Sequence, residues 1–292
     1  MRYALRHTTT YTYDDAVSDS LGVAYLVPRV LPWQQVASYD VRVTPTPVDT
    51  SVDVDYYGNT VTWFQVAERH QQLVVEGAGE VESLMPVHAE AALARPWEGL
   101  RPLRDRALPG AWRATDFALG SRLVEQVPAA HDYAGPSLVT GRPVGEAVTD
   151  LMHRVHADFG YDKTATTVTS TVADILERRA GVCQDFAHLM LACLRSHGLA
   201  ARYVSGYLAT QPPPGKERIV GADASHAWVE VWLGDEEWLA LDPTNDQWAG
   251  DRYVTVAWGR DYGDVPPLKG VIFTEAKRST MRVAVDVAPL GD

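Results

Sequence analysis

Two cysteines in 292 residues are too few for a disulfide framework. No apolar run approaches the roughly 18 residues that a membrane span needs. The opening stretch, MRYALRHTTTYTYDD, alternates polar and apolar side chains and has no apolar signal-peptide core, which predicts a cytoplasmic protein with no membrane partner. Basic charge is also short, with 26 Lys and Arg against 38 Asp and Glu and a net charge of −12. Binding a polyanion needs a basic footprint, so nucleic acid is not the expected partner, and the acidity reads as a contribution to solubility. Repeats and low-complexity tracts are absent. What remains is ordinary for a globular chain, 46% hydrophobic and 22% charged, long enough for two domains or for one with a large extension.

Residues 1–90 read as β-structure. Arg2 to Tyr13 is rich in Thr and Tyr, Tyr39 to Thr44 alternates, and VDVDYYGNTVTWFQV (52–66) is two strands around Tyr57-Gly58-Asn59, where Gly and Asn suit the positive φ of a tight turn. LVVEGAGEVE adds another strand or two, so a sandwich or small barrel is expected. Residues 91–142, broken by Pro96, Pro102, Pro109 and Pro128, read as a connector of short helical pieces. From Pro143 the texture changes. Val144, Ala147, Val148, Leu151, Met152 and Val155 recur at helical spacing. A second helix is framed by Thr171 as N-cap, Asp174 three residues on and Gly181 past its end.

Next comes GVCQDFAHLM, residues 181–190, in which Cys183 opens an apolar helix that stops at Gly198. Strands then take over: ARYVSGYL (201–208), HAWVEVWL (226–233) and EWLALDPT (237–244), the last two joined by Gly234-Asp235-Glu236. The region 143–292 is therefore α+β, and VIFTEAKRSTMRVAVDVAPLGD closes it with one or two strands.

A helix N-terminus carries partial positive charge, which lowers a thiol pKa and aims free N–H groups at whatever the sulfur attacks. Position alone is a weak signal, because free cysteine is more often a buried apolar filler. Cys193, on the apolar face of the same helix, has that bland role. Ten residues of helix put it about 15 Å from Cys183, beyond disulfide reach, so both thiols are free. A nucleophilic cysteine needs a base, and the base needs an orienting group. His226 lies about eight residues before Gly234 and Asp242 about six after Glu236, which brings both to one open end of the hairpin. Cys183, His226 and Asp242 thus form a candidate acyl-transfer triad.

These segments, GVCQDFAHLM, GLAARYVSGYL, DASHAWVEVWL and WLALDPTN, resemble the transglutaminase-like superfamily core across about residues 150–250. The first ninety residues, with DYYGNTVTWF, resemble the β-rich N-terminal domain of bacterial transglutaminase-like proteins regarded as cysteine proteases. The resemblance implies Cys183 as nucleophile, His226 as general base and acid, and Asp242 as orienting acid. It also implies a papain-like α+β core, a Cys-bearing helix packed on an antiparallel sheet, behind a sandwich-like N-terminal domain.

Bland readings cover most other candidates. His153 and His156 sit three apart on a helix, but no third ligand has matching spacing, so a solvated face is preferred to a metal and no cofactor is expected. His188 and His197 read as structural. Asp185 reads as a helix cap, and Gln184 either caps or lines the site. The loop 210–225 is either one wall of a cleft or an ordinary connection. Trp228, Trp232 and Trp238 read as sheet packing, and Tyr161 as a second oxyanion donor. The expected function is thiol attack on a peptide or isopeptide bond, with water ending the reaction in a peptidase or amidase. Transfer to an amine is the alternative, and a carrier-linked acyltransferase or cyclase and an inactive binding module are further ones. The expected partner is a peptide or protein substrate, or a small-molecule amide with an amine acceptor.

Overall fold

The computed structural model describes residues 1–210 and 225–291. Residues 211–224, most of the loop read above as a cleft wall, lie outside them. The N-terminal part is built on β1 (Arg2–Ala24), β2 (Gln34–Thr44), β3 (Asp49–Val54), β4 (Thr60–Val66) and β5 (His70–Ser83), ordered β2-β5-β1-β4-β3. Two C-terminal strands, Leu268–Thr274 and Ser279–Leu290, also pair with β1 and complete a seven-stranded antiparallel sheet.

Strand β1 continues well past Tyr13 because it changes partners instead of stopping. Residues 2–12 pair with β5 and with Ser279–Leu290. After register shifts around Val17, the strand pairs with β4 and with Leu268–Thr274. Side chains from β4 and β5, which flank different ends of β1, share a small core of Tyr13, Val17, Leu26, Phe64, Val66, Leu73 and Val75. The sheet is thus folded on itself, which is the form its sandwich-like character takes. In the β3–β4 turn only Gly58 has positive φ, at 77°. Asn59 does something else: its amide oxygen accepts from the Trp258 N–H at 2.9 Å and its Nδ2 donates to the Trp258 carbonyl at 2.8 Å.

In the second part, the helices Val144–Asp158, Val172–Arg178 and Cys183–Ser196 precede an antiparallel sheet. Its main strands are Ala201–Leu208, Ser225–Gly234, Glu237–Asp242 and Tyr253–Gly259. Thr171 caps the middle helix through a reciprocal bond pair with Asp174. That helix ends at Arg179 in the left-handed region, φ 52°, and Gly181 lies past its end. Odd-numbered residues of the His226 strand, Ala227, Val229, Val231 and Leu233, share a core with Ala187, Met190, Leu191 and Leu194 of the Cys183 helix. Tyr3, Leu5, Val81, Val285 and Val287 from the N-terminal sheet belong to the same core, so the two parts bury apolar surface against each other. No helix among the described residues is long and apolar enough to cross a membrane.

Candidate active site

Gly181 and Asp185 fix where the helix begins. The Asp185 carboxylate accepts from the Val182 N–H at 2.7 Å and from the Thr166 hydroxyl at 2.5 Å, tying the helix start to the preceding loop. Burial raises the Asp185 pKa, and these two bonds only partly oppose it. A Cβ on Gly181 would sit 2.6 Å from Asp185 Oδ2, so glycine is required by close approach, which is its actual role here. The N–H groups of Asp185 and Phe186 bond to the Val182 carbonyl, while those of Cys183 and Gln184 have no acceptor among the described residues. The half-buried Cys183 thiol therefore sits beside two free donors, as a helix start provides.

His226 and Asp242 come together through hairpin register. Leu241 lies opposite Val229, which puts Asp242 opposite Trp228 and on the same face as His226, one diagonal step away. His226 Nε2 donates to Asp242 Oδ2 at 2.7 Å. The carboxylate is fully buried and heavily held. Oδ1 accepts from the N–H groups of Thr244 at 2.9 Å and Asn245 at 3.2 Å. Oδ2 also takes Asn245 Nδ2 and the Tyr253 hydroxyl, each at 2.7 Å. Burial would raise the Asp242 pKa, but the bond and charge of His226 and the bonds from Asn245 and Tyr253 outweigh it, so the group is held below the usual range. Burial likewise disfavours the His226 cation, yet the hydrogen bonds and charges of Asp242 and Cys183 win and raise it to about 10. The ring is thus held toward the imidazolium form, with Asp242 on Nε2 and Cys183 as its other partner.

Two grooves meet at Cys183, Ser225 and His226. One, of about 230 Å³, runs toward the N-terminal sheet, and the other, of about 310 Å³, runs along Tyr161, Leu208, Thr244 and Asn245. Comparison along the chain matches residues 3–82 to the bacterial transglutaminase-like N-terminal region and residues 133–243 to the transglutaminase-like superfamily. The chain belongs to the transglutaminase-like superfamily. An uncharacterised Mycobacterium tuberculosis protein is 44% identical to this transglutaminase-like chain over 99% of it and 93% of its own length. A protein-glutamine gamma-glutamyltransferase of Pseudomonas aeruginosa is 32% identical over only 36% of this chain and 18% of its own. A candidate cysteine protease from Cytophaga hutchinsonii covers 98% of this chain and 90% of its own at 19% identity, with a TM-score of 0.72, which shows the shared fold.

Other sequence candidates in this transglutaminase-like protein find plain partners. His153 and His156 lie on an exposed helix face as expected, and from it their Nδ1 atoms bond to Asp246 Oδ1 at 2.5 Å and to the Thr244 carbonyl at 3.0 Å, clasping the turn after Asp242. His188 is fully buried, pushed down to about 4 chiefly by burial, and accepts from the Tyr262 N–H at 3.2 Å. His197 stacks on His131 with ring centroids 4.0 Å apart. Gln184 lines the first groove and donates to the Val168 carbonyl at 3.2 Å. Tyr161 lines the second. Trp228 is buried in a triangle of rings with His226 and Tyr253, while Trp232 is buried and Trp238 packs beside it. Cys193 is fully buried, and burial pushes its thiol up to about 12. Two residues escaped sequence reasoning. Asn245 had a signal, since an Asn shortly after an Asp-Pro suits a side-chain-capped turn. Tyr253 had none, because it arrives from a different strand.

Proposed function

We propose that the chain is a thiol enzyme that opens amide bonds through a thioester, with Cys183 as nucleophile, His226 as acid and base, and Asp242 as the orienting carboxylate. The observation that carries this reading is the His226 ring bonded to buried Asp242 on one side and facing Cys183, at a helix start, on the other. Cys183 Sγ attacks the carbonyl carbon while the Cys183 and Gln184 N–H groups receive the developing oxyanion. The C–N bond then breaks, the His226 proton goes to the departing amine, and a thioester remains. Water gives up a proton to His226 and attacks the thioester, releasing a carboxylic acid and restoring the thiol.

Hydrolysis is the reading we favour, because among the described residues the second groove is open beside His226 and gives water a route to the acyl-enzyme. Transfer to an amine uses the same residues and the same groove, and the partial likeness to a gamma-glutamyltransferase supports it as the second reading. Two free thiols suit a reducing compartment, so a cytoplasmic site of action belongs to the proposal.

The test is brief iodoacetamide labelling between pH 5 and 8, read by mass spectrometry, with His226→Ala alongside. Rapid labelling of Cys183 alone, lost in the variant at low pH, supports the triad. Labelling no faster than that of a free cysteine in a peptide removes the nucleophile from the mechanism. Peptide amides with and without added amine then separate hydrolysis from transfer.

A further inference from the structure

The 230 Å³ groove has a wall that the catalytic core does not provide. His7, Thr9 and Tyr11 of β1 and Met281 and Val283 of the last strand line it, opposite Cys183, Gln184 and Tyr203. Register explains the wall: Thr9 pairs with Val283 and Tyr11 with Met281, so these side chains form one patch of the N-terminal sheet. No Asp, Glu, Lys or Arg lines the groove among the described residues, although the chain carries 64 such residues in all. His7 adds no charge, since burial lowers its pKa to about 4 and its two nitrogens bond Tyr207 and Thr9, each at 3.0 Å. Val182 and Gln184, which bracket the nucleophile at the helix start, line this groove and not the second one. The attacked carbonyl is placed where the Cys183 and Gln184 N–H donors converge, so its acyl chain continues into this space.

We propose that the N-terminal sheet is the specificity wall of the enzyme: the groove between it and the Cys183 helix takes the acyl part of the substrate and selects an uncharged, apolar or aromatic side chain. This rests on Cys183 being the nucleophile. A volume of about 230 Å³ is below that of typical drug-sized sites, so it suits one or two side chains of a longer acyl donor. Beyond the Cys183–His226 pair at one end the groove offers no charge, so a charged side chain reaching its far wall loses hydration without gaining a partner.

Three alkylating probes test this: iodoacetamide, N-benzyl iodoacetamide and N-(4-carboxybenzyl) iodoacetamide, each rate taken relative to glutathione. The benzyl probe is expected to modify Cys183 about tenfold faster than iodoacetamide, through burial of its ring, and the carboxybenzyl probe to lose that gain. Met281→Asn and Val283→Asn alter side chains that are 62% and 44% exposed, so the fold tolerates them. They are expected to cut the ratio of the benzyl rate to the iodoacetamide rate at least threefold. Equal rates for benzyl and carboxybenzyl probes, or a benzyl advantage unchanged in both variants, overturn the wall. A slow iodoacetamide rate in the parent protein, indifferent to His226→Ala, overturns the nucleophile itself and the groove assignment with it, so the two failures are told apart by which probe reports them.

Discussion

Replacing Asp242 with Asn probes the electrostatics at their source. The rise of His226 from 6.5 to about 10 corresponds to roughly 5 kcal/mol in favour of the cation. Burial opposes the rise, and Asp242 is the foremost of the groups that produce it, ahead of Cys183, so removing the carboxylate takes away the largest favourable contribution. An Asn at this place also meets five donors, from His226, Thr244, Asn245 twice and Tyr253, with only one acceptor atom of its own. Its NH₂ group faces other donors, so a further penalty of ~1–3 kcal/mol falls on stability. The expected outcome is a several-fold fall in the rate of Cys183 alkylation at pH 7.5, read against the parent protein. His226 has a raised pKa, so its share of stability is full below pH 6.5 and lost as pH climbs through about 10. Asp242 has a lowered one, so its share is full above the unfolded carboxylate value and lost as pH falls through the folded value. The stability gap between parent and variant should therefore be widest between about pH 4 and 6.5 and close toward pH 10. Alkylation rates and thermal unfolding across pH 4–10 read both effects. A variant that labels within twofold of the parent and shows a pH-independent gap would refute the reasoning.

Three smaller perturbations follow from packing. Gly181→Ala places a methyl 2.6 Å from Asp185 Oδ2 and 2.7 Å from its Cβ, and should cost about 1–3 kcal/mol in urea unfolding while slowing Cys183 labelling, because the helix start shifts. Cys193 should stay unmodified by iodoacetamide at pH 9 in the native protein and label only under unfolding conditions, a contrast visible in one peptide map. Asn59→Ala removes the amide that brackets the Trp258 backbone, and a loss of about 2–3 kcal/mol should appear as a lower midpoint for loss of Trp fluorescence. An unchanged midpoint would mean that water replaces both bonds.

Parts of this fold and site were readable because their signals are local. Cys183 follows a glycine at a helix start, Thr171 and Asp174 form a capping pair, and Gly234-Asp235 dictates the hairpin that sets His226 and Asp242 on one face. Residues that depend on distant partners were not readable. Arg179 ends its helix in a left-handed turn although nothing about an arginine announces that, and Asn59 looked like a turn residue because its partner is 199 positions away. The histidines 153 and 156 carry the same lesson: helical spacing suggested a face, but only tertiary contact shows that the face grips the turn after Asp242.

Strand β1 is flanked by β4 and β5 on one side and by the strands at 268–274 and 279–290 on the other, so the sheet joins the earliest and latest parts of the chain. A chain without residues 268–290 would leave one side of β1 bare and the groove without Met281 and Val283. Its unpaired backbone would be a template for a neighbouring strand, so the same two strands that finish the groove also keep the sheet from aggregating.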